Sequence, residues 1–113
     1  MHEYSIVQAL LERVQEQVDA HGASAVHSLT VKIGEVSGVE IDLFQSAYEL
    51  FRERSICDGA ELEVIPVAAH WICPVCQRTM GRGEILRCPN CAQPAQLVEG
   101  DGIVLERVEL EVA

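Results

Sequence analysis

A chain of 113 residues and 12.4 kDa suffices for one ordinary domain, or for a domain carrying a small metal-bound appendage. With 49% hydrophobic and 23% charged residues it is no disordered polyelectrolyte. Its formal charge of −10 argues against binding nucleic acid or an anionic membrane, since both need a basic surface.

From the amino terminus, Ile6, Val7, Leu10, Leu11, Val14 and Val18 recur at helical spacing between polar residues, and Gly22 is placed to terminate the helix. Leu29, Val31 and Ile33 then alternate with Thr30, Lys32 and Gly34, which predicts a strand. Ser37-Gly-Val-Glu40 has the form of a capping box. The helix expected after it places Ile41, Phe44, Ala47, Tyr48 and Phe51 on one face and ends near Arg54. Cys57 follows and reads as a small buried hydrophobe. Leu62 and Val64 predict a second strand, which Pro66 ends or confines to a sheet edge. A third strand carries Val104, Val108, Leu110 and Val112 on its apolar side, with Glu106 out of place among them.

These elements predict an α+β fold in the order αβαββ, with two helices packed on a three-stranded sheet. Residues 1–70 and 99–113 form this body, and residues 71–98 are an insertion between its second and third strands. No apolar stretch is long enough to span a bilayer, and the opening residues do not have the pattern of a signal peptide, so a soluble cytoplasmic protein is expected.

The insertion contains Cys73-Pro-Val-Cys76 and Cys88-Pro-Asn-Cys91, with eleven residues between the pairs. Two CxxC turns at such spacing present four thiolates to one tetrahedral Zn²⁺ and leave no open position, so the metal is structural. Iron suits the same ligands equally well. Separate redox pairs fit worse, because neither CxxC opens a helix after a strand. The insertion has few large apolar residues, so metal must supply much of its folding energy. It is also the basic part of the chain, with Arg78, Arg82 and Arg87 against Glu84.

The chain opens Met1-His2-Glu3. Taken alone, an exposed histidine at a helix start is unremarkable. A terminal amine, the His2 amide nitrogen and its imidazole can nevertheless form fused chelate rings, in a geometry suited to Ni²⁺ or Cu²⁺. That amide has no intrahelical acceptor to lose, and Glu3 offsets the unfavourable helix dipole.

With these features in order, Met1-His2-Glu3-Tyr4-Ser5-Ile6, Ile33-Gly-Glu-Val-Ser-Gly-Val-Glu40 and the two CxxC turns, the whole chain resembles the HypA/HybF family of hydrogenase-maturation nickel metallochaperones. The resemblance implies a non-enzymatic carrier with a nickel-binding domain and a zinc-binding domain. Nickel, the cargo, would be held by the Met1 amine, the His2 amide and imidazole, and Glu3 as a direct or supporting ligand. Structural zinc would be held by Cys73, Cys76, Cys88 and Cys91. Implied partners are the large-subunit precursor of a nickel–iron hydrogenase and a HypB-type GTPase; monomer, homodimer and swapped dimer all remain compatible. The chain departs from the family at Ala92, where a glycine is common, and in having no histidine inside the module. His70 reads as a strand-end residue rather than a ligand. The rival readings are a zinc-ribbon module for nucleic acid or protein partners, which the acidic charge disfavours, and a thiol oxidoreductase.

Overall fold

The computed structural model describes residues 2–112, and Met1 and Ala113 lie outside them. Helix α1 runs from His2 to His21 and turns out at Gly22, whose φ of 62° is the left-handed conformation that glycine adopts without strain. Strand β1 spans Ala23–Gly34, helix α2 spans Ile41–Phe51 with a 3₁₀ turn at Arg52–Arg54, and β2 spans Glu61–Val67. Three short strands follow, β3 at His70–Ile72, β4 at Thr79–Gly81 and β5 at Gln96–Glu99, before the long β6 at Ile103–Val112.

The strands make two sheets. In the first the order is β2-β1-β6, with β2 parallel and β6 antiparallel to the central strand. Pro66 lies opposite Ile33 on β2, an edge strand where a missing N–H is tolerated. The two helices bury Val7, Leu10, Val14 and Val18 of α1 and Phe44, Ala47 and Tyr48 of α2 against Val26, Leu29, Val31 and Ile33 of β1. The fold is therefore α+β with both helices on one three-stranded sheet. Phe51 departs from the periodicity: it is 39% exposed and meets Tyr4 edge-on, with ring centroids 5.5 Å apart. None of the described helices is long and apolar enough to cross a membrane.

The misfit at Glu106 is explained by a β-bulge. Thr30 pairs with Arg107 but Val31 pairs with Leu105, so Glu106 is an extra residue and the faces of β6 exchange across it. Leu105, Val108 and Leu110 consequently face the core and Val104 is exposed, contrary to simple alternation; Val112, at the strand end, is exposed as well. Glu106 instead reaches Lys32 at 2.9 Å. A second bulge at His27 rephases β1, which is why Val26 joins Leu29, Val31 and Ile33 in the core.

The expected capping box is also replaced. Glu40 is itself the N-cap residue of α2 and makes no side-chain cap bond, while Ser37 Oγ accepts the Val39 N–H at 3.2 Å in a local turn.

The second sheet, β4-β3-β5, belongs to the cysteine-bearing segment. The two parts meet at a narrow waist where the chain beyond β1 is laid between the two connections. Gly34 N–H bonds the Gly102 carbonyl, Glu35 N–H the Val67 carbonyl and Val36 N–H the Gly100 carbonyl, at 2.8–2.9 Å. A β-carbon on Gly34 would overlap the Gly100 carbonyl, and one on Gly100 would overlap the Ala69 backbone. Glycine at both positions is what allows three backbones to pass so closely.

Candidate metal centres

The four cysteines of the CxxC turns converge, with all their sulfurs within 4.8 Å of one another. Among the described residues this is the one grouping of three or more histidine, cysteine or acidic side chains close enough to hold a single ion. Cys76 Sγ and Cys88 Sγ are 3.6 Å apart. A tetrahedron of thiolates about 2.3 Å from a zinc ion has edges of about 3.8 Å, so the spacing suits that metal.

Each pair is presented by the same local structure. Gln77 N–H bonds the Cys73 carbonyl at 3.0 Å and Cys73 N–H bonds the Arg78 carbonyl at 2.9 Å. In the second turn, Ala92 N–H bonds the Cys88 carbonyl at 2.8 Å and Cys88 N–H bonds the Gln93 carbonyl at 2.9 Å. To close these turns Gln77 and Ala92 adopt φ of 67° and 53°, a left-handed conformation awkward for a residue with a β-carbon. Antiparallel pairing of β3 with β4 carries the first turn, and the Arg87–Pro94 bridge flanks the second.

Electrostatics follow from this geometry. Backbone N–H groups of Cys76 and Val75 point at Cys73 Sγ and hold its thiol down at about 7. The Cys91 and Asn90 N–H groups likewise lower Cys88. Cys91 is pushed up, first by its sulfur contact with Cys76 and further by burial and by Cys73 and Cys88, because another anion beside these sulfurs is unfavourable. A bound dication removes that obstacle. Around the sulfurs the core is small, with Met80 buried and Trp71 and Ala95 partly so. The donor set fits a closed structural metal site.

His2 begins α1 with an exposed side chain, and its carbonyl accepts the Ser5 hydroxyl at 2.9 Å. Met1, expected to supply the amine, lies outside the described residues. Glu3 is buried, 7% exposed, and its Oε2 accepts the backbone N–H of Glu40 at 3.3 Å. Its own backbone N–H and that of Glu40 hold the carboxyl below the usual carboxylate range. The structure thus brings the chain start and the end of the 33–40 signature together, a link that the sequence did not disclose.

The remaining histidines are engaged elsewhere. His21 Nδ1 lies 2.9 Å from the Gln17 carbonyl, His27 pairs with Glu111 at 3.1 Å and His70 pairs with Glu99 at 3.3 Å. His70 sits in β3 outside the four-cysteine cluster. Cys57 is fully buried, its thiol pushed up by burial, beside the Tyr48 hydroxyl that donates to the Ala60 carbonyl at 2.8 Å.

Residues 1–110 match the family model described as hydrogenase/urease nickel incorporation, metallochaperone, HypA. The chain is 34% identical to the hydrogenase maturation factor HypA of Shewanella baltica strain OS185, covering 98% of this chain and 97% of that protein. It is 32% identical to the HypA of Escherichia coli K12, with 98% of each covered. Among solved structures it is similar to the nickel metallochaperone HypA from Helicobacter pylori, with a TM-score of 0.74 at 27% identity over 98% of both chains. A further HypA solution structure superposes with a TM-score of 0.79 at 28% identity, covering 100% of this chain and 98% of that one. The chain belongs to the HypA family of hydrogenase/urease nickel-incorporation metallochaperones.

Proposed function

We propose that this HypA-family chain binds Ni²⁺ at its amino terminus and passes it to the large-subunit precursor of a nickel–iron hydrogenase, acting with a HypB-type GTPase in the cytoplasm. The ion is held by the Met1 amine, the His2 amide and imidazole, and Glu3 as a direct or supporting ligand. Residues 1–70 and 99–113 serve as the nickel-binding domain, and residues 71–98 as the zinc-binding domain. Cys73, Cys76, Cys88 and Cys91 hold a Zn²⁺ that is structural, because four thiolates leave no position for water or substrate. The protein acts as a carrier rather than an enzyme, and any nucleotide chemistry belongs to the GTPase.

The observation that carries this reading is the family match over residues 1–110, which takes in the whole Met1-His2-Glu3 opening. Its chemistry is consistent with the site. The His2 imidazole is exposed while Glu3 beside it is held in place by the Glu40 amide, so cargo can be reached by a partner without unfolding the helix. The acidic surface favours complementary partner proteins over nucleic acid.

The deciding experiment is a Ni²⁺ titration of the untagged protein beside His2→Ala and an N-terminally extended form. The untagged protein should bind one ion tightly. His2→Ala should lose that binding with zinc content and fold unchanged, and the extension should weaken it by removing the chelating amine. Equally tight binding by a folded, extended protein would refute the amine assignment.

A further inference from the structure

The waist between the two parts contains one acidic side chain with two partners from the far side. Glu35 follows the last residue of β1, and its Oε1 accepts the backbone N–H of Ala69 at 2.8 Å. Its Oε2 receives the Arg82 guanidinium at 3.4 Å, from the loop between the two CxxC turns. Ala69 precedes β3 and is 4% exposed, so its N–H needs a protein acceptor and finds it in this carboxylate. The backbone N–H of Glu35 bonds the Val67 carbonyl at 2.8 Å. One residue of the body therefore grips the entry connection twice and the module itself once.

We infer that Glu35 is a positioning residue that sets the orientation of the cysteine-bearing module against the helical body. The backbone bonds at the waist join the body to the connecting segments but do not reach beyond β3. A rotation of the module about its two connections must break the Arg82 contact, and a swing of the entry connection must break the Ala69 bond; both contacts end on one carboxylate. The inner bond is charge-assisted and sheltered, so it carries most of the restraint. The Arg82 arm is exposed, with 63% of its side chain accessible, and mainly selects the direction in which the module leans. Gly34 and Gly100 supply the close approach that brings the carboxylate within reach. Within the signature Ile33 to Glu40, Glu35 thus holds the module and Glu40 receives Glu3, with four residues of chain between the two grips.

The test is the alignment of the two parts in the zinc-loaded protein, from residual dipolar couplings of backbone amides. In the wild type, amides of the body and of the module should fit one alignment tensor. In Glu35→Ala each part should still fit well by itself but with distinct tensors, and Ala69 amide exchange should accelerate by about tenfold or more. Zinc content should not change. Glu35→Asp keeps the charge but shortens the reach by one methylene, so it should also separate the tensors, and it decides the matter if the alanine variant does not fold. A single tensor indistinguishable from wild type in a folded Glu35→Ala or Glu35→Asp protein would overturn the assignment.

Discussion

The Glu3 carboxylate of the first helix accepts the backbone N–H of Glu40, the N-cap residue of the second, at 3.3 Å. In a capping box that amide is bonded by a glutamate from its own helix. Here the acceptor comes from 37 residues away, so the start of α2 forms fully only when α1 is docked. The relationship ties the proposed nickel terminus to the fold.

It also has a pH signature. The folded-state pKa of Glu3 lies below its ordinary value of 4.5, so its stabilising contribution is present above about that pH. The contribution is lost as pH falls through the depressed folded value. Amide exchange at Glu40, measured across this range without nickel, should show protection falling on acidification. Glu3→Gln should flatten the dependence while keeping an acceptor, and an unchanged pH profile in that variant would contradict the link.

Cys76→Ser should release the metal and unfold the cysteine-bearing sheet while leaving the helical body intact. The module's own core is too small to stand without the ion. Metal analysis and an amide spectrum check this together: signals of the second sheet should collapse to unfolded positions, and those of α1, α2 and β1 should remain. A metal-free protein with a dispersed, protected module would exclude the structural role.

Ala92→Gly should tighten binding of the proposed zinc. At a φ of 53° the alanine bears about 1–2 kcal/mol of left-handed strain, against about 0.4–1 kcal/mol of added unfolded-chain entropy for glycine. The net gain of about 1 kcal/mol corresponds to about fivefold in affinity, measurable by competition with a chelator. Weaker zinc binding would show that the strain is absorbed elsewhere.

Cys57 should make the protein sensitive to alkali. Its folded pKa is raised above the ordinary 9.0 by burial, so the stability it contributes is present below about pH 9 and is lost as pH rises through the folded value. Cys57→Ala should show a shallower decline of denaturant midpoint above pH 9, at a cost of about 1 kcal/mol at neutral pH for the small void. Tyr48→Phe should cost about 1 kcal/mol, because the Ala60 carbonyl keeps the Arg52 guanidinium at 2.7 Å as a donor. Parallel slopes for wild type and Cys57→Ala would rule out the thiol as the source.

Features whose physics is local were legible in the sequence. The cysteine spacing implied one closed site because each CxxC turn presents its own two sulfurs, and the apolar periods of α1 and β1 marked faces that do become buried. The resemblance of three motifs in order pointed to the HypA family before any geometry was known, and the family comparison agrees. Periodicity failed at Glu106, where a bulge reverses the faces of β6, because a bulge depends on how two strands register. Ser37 carried the letters of a cap, but Glu3, brought in by helix packing, holds the Glu40 amide instead. Nothing in the spacing of Glu35 foretold its grip on Ala69 and Arg82, 34 and 47 residues further along the chain. The sequence by itself determined which elements form and which atoms could bind metal, since those follow from neighbouring residues. Only the tertiary structure decided which distant amides and charges meet, because that depends on how separate elements pack.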